Sequence, residues 1–258
     1  MAEAFGSLLK EWRSRRRMSQ LDLALVSDVS ARHISFLETG RAQPSQPMVL
    51  RLSESLEVPR ANRNALLNAA GFAQAYKARS LDEDEMSVVS SAMAWMLERH
   101  DPFPAIAFDR HWRVLRMNQC SEALLEPMRI RVGDSLLEAF LSGGPFVAAL
   151  DNREEIARHM VSRLRTESAH LGGDTVLDDA AERLTAMLGS EAPVGESHMP
   201  AIIPARYKVG DMTLSLFSTI AQFGSTEDIV LAEMKIELMF PADEITRQAL
   251  LARAGHAA

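Results

Sequence analysis

Arg13, Arg15, Arg16 and Arg17 crowd four guanidinium groups into one short stretch. Placed at the end of a helix they complement its dipole, and they can also reach phosphate. A second group follows in Ser30-Ala31-Arg32-His33-Ile34-Ser35-Phe36. There Arg32 can make paired contacts to guanine, His33 can donate to a base or a phosphate, and Phe36 can touch a thymine methyl. Gln20, between the two groups, is placed either to hold a phosphate or to brace the helix that carries the second group. The chemistry these types offer together is recognition of a duplex.

Such side chains need rigid carriers, and the hydrophobic spacing supplies them. Phe5, Leu8, Leu9 and Trp12 recur at helical spacing. Ser19 is a fitting N-cap for a second helix with Leu21, Leu23, Ala24 and Val26, and Ser30 caps a third that runs from Ala31 to Thr39 and stops at Gly40. A fourth helix is expected over Met48–Leu56 and a fifth from Pro59 to Gly71. Two short helices joined by a tight turn within a five-helix bundle form a helix-turn-helix. Val29, Ile34 and Leu37 then fall at buried spacing, which leaves Ala31, Arg32, His33, Ser35 and Phe36 facing outward.

Charge supports this division. The chain of 258 residues carries a formal net charge of −7. Residues 1–79 hold 12 Lys/Arg against 7 Asp/Glu, a balance of +5, while the remainder holds 16 against 28, a balance of −12. A basic head on an acidic body suits one domain that meets phosphate and one that does not. The sign changes across Lys77–Met86, so the expected organisation is a DNA-binding domain over 1–79, a linker helix over 80–100 and a second domain over 101–258. No apolar run spans a bilayer and no leader pattern opens the chain. With a lone cysteine, Cys120, a reducing cytoplasm is the expected compartment and packing the expected role of the thiol.

The second domain reads as strands and helices. Ala105–Phe108 and a segment with Trp112, Val114, Leu115 and Met117 suggest a hairpin, after which Asn118 caps a helix starting near Gln119. Helical patterns follow around 147–168 and 174–189. Three late strands are expected near Ile202–Val209, Met212–Thr219 and Ile229–Phe240, with Gly210–Asp211 as a tight turn. That order predicts one antiparallel sheet with helices packed on one side. A cup lined by Met, Leu, Ile and Phe suits an apolar ligand, and a filled core is the plain alternative. For a polar head group at such a pocket, Arg113, Arg116, His159 and Arg163 are the candidates, although solvation at the surface explains each equally well.

Enzyme chemistry finds little footing. The histidines show no His-x-x-x-His or zinc-type spacing with cysteine, and Gly-rich phosphate loops and Gly-x-Ser-x-Gly elbows are absent from the sequence. The expectation is a protein without catalysis or metal and with no obligatory cofactor.

Ser19-Gln-Leu-Asp-Leu-Ala and Val29-Ser-Ala-Arg-His-Ile-Ser-Phe-Leu-Glu-Thr-Gly-Arg41 resemble the Cro/repressor-like (XRE) family over roughly residues 5–71. The resemblance implies that Ser30 to Phe36 lie on the recognition helix, that Arg13 and Glu38 form an internal ion pair, and that Arg41 meets backbone phosphate. Ala31 departs from the pattern, because it cannot hydrogen-bond a base edge. Pro104-Ala-Ile-Ala-Phe-Asp-Arg-His-Trp-Arg-Val, Val161-Ser-Arg-Leu-Arg, Leu216-Phe-Ser-Thr-Ile and Glu237-Leu-Met-Phe-Pro-Ala-Asp-Glu resemble the MmyB-like transcription regulators. That likeness implies an all-α, five-helix DNA-binding domain followed by an α+β, PAS-like sensor with an antiparallel sheet. It also implies a cytoplasmic regulator of a double-stranded operator whose pocket can hold a fatty acid or similar small apolar molecule. A homodimer is the usual form in which two recognition helices reach successive major-groove faces. The rival reading is an antitoxin or protein-interaction module using the same helix-turn-helix.

Overall fold

The computed structural model describes residues 2–189, 202–224 and 227–255. It divides into two compact units, one of Met1–Ala78 with Ser168–Asp174 and Ser225–Ala232, the other of Arg79–Glu167, Thr175–Gly224 and Glu233–Ala258.

The first unit is built on helices α1 (Ala2–Arg15), α2 (Gln20–Ser27), α3 (Ala31–Glu38), α4 (Gln46–Ser55) and α5 (Arg60–Ala69). Ser19, Ser30 and Ser45 cap α2, α3 and α4, their side chains accepting from the N–H of Asp22, His33 and Met48. Each cap satisfies a donor that the helix itself leaves open. The fourth helix starts two residues earlier than the sequence spacing predicts, because Ser45 is the cap and Pro47 fits the first turn. Phe5, Leu9, Trp12, Leu23, Ile34, Leu37, Val49, Leu52, Leu66 and Leu67 form the core. On α2 only one face joins it: Leu23 and Ala24 are buried, whereas Leu21 and Val26 are 59% and 58% exposed. Asp28, in the left-handed conformation at φ 52°, ends α2 and makes the turn into α3.

Further along lie α6 (Ser87–Arg99), β1 (Ala105–Phe108), β2 (Val114–Met117), α7 (Gln119–Leu125), α8 (Leu136–Leu141), α9 (Pro145–Ala149), α10 (Arg153–His170) and α11 (Thr175–Leu188). They are followed by β3 (Ala205–Val209), β4 (Met212–Ala221), α12 (Ile229–Glu233), β5 (Lys235–Pro241) and α13 (Glu244–Gly255). The strands form one antiparallel sheet in the order β2-β1-β5-β4-β3, so the last strand in sequence is the central one. Gly210, at φ 61°, closes the expected two-residue turn between Val209 and Met212.

Three local expectations are corrected. Trp112 lies outside the second strand: Asp109 accepts from the N–H of His111 and Arg113, closing a turn that holds Trp112 at φ 62°. Ile229–Glu233 is helical, because Asp228 accepts from the Val230 N–H and starts a helical turn before β5 begins at Lys235. Finally, helices cover both faces of the sheet. His100, after α6, meets Phe240 edge-on at 4.9 Å, and Thr246 of α13 accepts the Ser215 N–H on that same face. On the opposite face α8, α9 and α10 help to line a cavity.

Candidate functional site

In the first unit, α3 stands on the core through Ile34 and Leu37, both fully buried. Its outer side carries exposed Arg32, whose guanidinium lies 5.2 Å from the centre of the Phe36 ring. That stacking holds a long side chain in one place at little entropic cost. His33, Ser35 and Phe36 are half-buried, and Ala31 packs partly against the core. Arg41, beyond the helix, is exposed, while its N–H donates to the Phe36 carbonyl at 2.8 Å. The Ser19 and Ser30 hydroxyls are engaged as caps, so both set helix position.

Behind α3 sits an internal clamp. Arg13 donates from Nε to Glu38 Oε1 at 2.6 Å, from Nη2 to Glu38 Oε2 at 3.0 Å and from Nη1 to the Met18 carbonyl at 2.8 Å. Gln20 Nε2 adds a bond to Glu38 Oε2 at 2.8 Å. The hydrogen bonds it donates to Glu38 hold the Arg13 guanidinium more firmly protonated than usual, against an opposing cost of burial. With all three nitrogens occupied, Arg13 is turned inward and is not free for phosphate. Arg16 is also spent, on the carbonyls of Leu56 and Glu57 at 2.8 Å each. The arginine cluster read from the sequence is therefore partly framework.

The second unit encloses a cavity of about 120 Å³. Leu136 and Phe140 of α8, Phe146 of α9 and Met160 of α10 face Leu216 of β4 and Met239 of β5 across it. One wall is polar. Arg163 donates from Nη1 to Glu237 Oε1 at 3.1 Å and from Nε to Glu167 Oε1 at 3.0 Å. Ser218 Oγ donates to the same Glu237 oxygen at 2.8 Å, and Lys235 Nζ to Glu167 Oε2 at 2.5 Å. Trp112 Nε1 donates to Glu167 at 3.1 Å, and its ring lies 4.1 Å from the Arg163 guanidinium and 4.9 Å from Lys235 Nζ. The turn that lifts Trp112 out of β2 thus puts its indole against these cations. Burial lowers the pKa of Lys235, and Glu167 opposes that shift. Burial, then the nearby Glu237 carboxylate, raises that of Tyr207, which also lines the cavity and therefore keeps its phenolic proton.

Of the four candidates for a head-group contact, the structure brings His159 and Arg163 to the cavity, His159 at an exposed position. Arg116 instead bonds Ser90, and Arg113 bonds the Gly133 carbonyl. Sequence reading missed Glu167, Tyr207, Ser218, Lys235 and Glu237. The available signal was a pair of charges, Lys235 and Glu237, alternating with Ile236 and Leu238 in a strand buried on both faces.

A capped helix-turn-helix on its own core, in a chain whose second unit closes round an apolar cavity, defines a transcriptional regulator with a ligand-binding domain. This chain belongs to the MmyB-like transcription regulators: residues 89–252 match the ligand binding domain of that family, and residues 4–66 match a helix-turn-helix domain. It is similar to the HTH-type transcriptional repressor RghR of Bacillus subtilis (strain 168), 32% identical over 98 residues, which make up 37% of this chain and 70% of that protein. It is also similar to the PAS domain of Bordetella pertussis BvgS, at a TM-score of 0.31 and 13% identity, covering 66% of this chain and 99% of that one. Among the described residues no helix is long and apolar enough to cross a membrane.

Proposed function

We propose that this regulator reads a double-stranded operator with the outer face of α3, and that a small apolar molecule in the second unit alters its grip on DNA. Ala31, Arg32, His33, Ser35 and Phe36 face the bases, Arg41 meets phosphate, and Arg13, Ser19, Gln20 and Ser30 hold the reading helix in place. The functional division follows residues 1–79, 80–100 and 101–258. The protein works in the cytoplasm as a homodimer, without catalysis, since two recognition helices are needed to reach two half-sites. Fatty acids, the class suggested by the family resemblance, are the first to test. A medium-length chain would need the walls to part, because the cavity of about 120 Å³ is smaller than the ~150 Å³ hole that holds a benzene.

The observation that carries the sensing half is the cavity itself, apolar on most sides and polar on one, as small-molecule sites are. The test starts by selecting an operator from random duplexes with the full chain, and measuring its mass in solution for the dimer. Saturated fatty acids from hexanoate to dodecanoate are then titrated against operator binding. A shift of roughly 5- to 150-fold is expected for allosteric coupling. A ligand that binds but leaves operator affinity unchanged would remove the regulatory link and keep the pocket, because equal affinity for two states shifts neither.

A further inference from the structure

The helix α6 is apolar on two opposite sides. Met86, just before it, and Met93 and Leu97 within it are buried and seat the helix on its own unit. On the other side Val88, Ala92 and Trp95 recur at helical spacing, and all three are exposed, Val88 at 79% and Trp95 at 60%. A surface helix spends its outer side on polar residues, and one that is apolar all round is covered on both sides. Exposed Asp84 lies at one end of this stripe. Exposed Arg99 lies at the other, its guanidinium 5.9 Å from the centre of the Trp95 ring.

The stripe fits a copy of itself. A second α6 laid antiparallel on the first, with the two-fold axis between Ser91 and Ala92, brings Val88 opposite Trp95, Ser91 opposite Ala92 and Asp84 opposite Arg99. Symmetry then repeats each pair. Small side chains at the crossing let the two helices approach, and a large Trp95 covers the smaller Val88 on either side of it. Opposite charges close both ends, whereas a parallel pair would set Asp84 against Asp84 and Arg99 against Arg99. A foreign partner would need no such match within the stripe; a second copy does.

We propose that α6 is the joint of the homodimer, pairing antiparallel with α6 of a second copy through Val88, Ala92 and Trp95, with Asp84 and Arg99 at the ends. This rests on the homodimer reading above and names its surface. One pair of short helices covers less than the ~1,200 Å² of a standard interface, so the dimer should come apart on dilution.

Sedimentation of the full chain across a dilution series is the reference measurement. Ala92→Glu sets a carboxylate of each copy at the crossing and should weaken association by at least about tenfold. Asp84→Arg and Arg99→Asp each place like charges together at both ends and should weaken it, while the double variant should recover. All three positions are exposed, and melting of the dilute chain separates loss of fold from loss of pairing. Under mild oxidation Ala92→Cys should form a disulfide between copies, because position 92 lies beside its own counterpart. Exposed Glu182→Cys on α11 should not, nor should the unmodified chain with Cys120. A dimer as tight in Ala92→Glu or in the single charge variants as in the unmodified chain overturns this surface. So does a double charge variant no tighter than the singles, or cross-linking of Glu182→Cys in place of Ala92→Cys. Each of these leaves the homodimer standing on another face. A chain that is monomeric throughout the series takes the homodimer reading down, and this inference with it.

Discussion

Gly6 on α1 lies directly against Leu37 on α3: a Cβ built on Gly6 would stand 2.5 Å from the Leu37 carbonyl oxygen and 2.6 Å from that of Glu38. α3 is therefore seated on bare backbone, in addition to its buried side chains. Alanine at position 6 would gain about 1 kcal/mol in helix propensity. It would also force apart two helices whose other contacts are fully packed, at about 1–3 kcal/mol or more. Backbone atoms cannot swing aside as a flexible side chain would, so the clash wins. Gly6→Ala should lower the urea midpoint of the first unit and weaken operator binding with it. An unchanged midpoint would mean that α1 and α3 are not so close.

Arg32 is held over Phe36 at the exposed surface of α3. If it reads a guanine, Arg32→Ala should cost about 1–3 kcal/mol at the preferred operator and much less on random duplex, relaxing preference at one base pair. Equal losses on both DNAs would reassign it to phosphate.

Arg41 is the complementary case, exposed and beyond the end of α3. Arg41→Ala should weaken specific and random duplex alike and reduce the slope of log affinity against log salt by about one. Arg13→Ala, by contrast, should act through stability, since it strips Glu38 of two bonds and leaves that carboxylate buried. A reduced salt slope at full stability for Arg13→Ala would show that the clamp opens on DNA.

Much of this was legible in the sequence. Serine caps, the apolar face of α1 and the Gly40 stop lie within single turns, where local chemistry decides structure, and so the five helices and the buried side of α3 follow from spacing alone. Where the reading fell short, the partners were far apart. Nothing near Arg163 announces Glu237, 74 residues later, and the Arg13–Glu38 pair was implied by the family resemblance and not by spacing. Arg113 and Arg116 looked as good as Arg163 because a strand pattern cannot tell which side of a sheet will close over a cavity. The same blindness hid the charges of β5: Lys235 and Glu237 alternate as surface residues would, yet the strand became the centre of the sheet with helices over both faces.

Cys120 has a distinct expectation. Burial, and next the charge of Asp101, push its thiol up to about 11, with Arg253 opposing. The thiolate is the reactive form, so little of it exists near neutrality. Labelling by a disulfide reagent should be slow in the native protein, accelerate as the pH rises toward that value, and reach the ordinary thiol rate once urea unfolds the chain. Fast native labelling at neutral pH would bring back a redox role.

Asn118 ties the end of α6 to the sheet. It is 4% exposed, with Oδ1 accepting from the N–H of Ala105 and Ser121 at 3.0 Å each. Its Nδ2 donates to the carbonyls of Leu97 and Phe103 and to Asp101 Oδ1, the last two at 2.8 Å. Asn118→Ala removes the cap of α7 and orphans several buried groups together, for an expected loss of about 3 kcal/mol. Asn118→Asp keeps the acceptor and gives up both donors, and it sets a second carboxylate against Asp101. The new group should therefore have its pKa raised in the folded state by burial and by that neighbour. A raised pKa contributes stability below the unfolded value and loses it as pH climbs through the folded one, so this variant should be weakest at neutral pH and recover on mild acidification. Equal stability of Asn118→Asp at both pH values would mean that Asp101 turns away when its donor is lost, and that α6 is fastened to the sheet by His100 and its bond to the Met239 carbonyl instead.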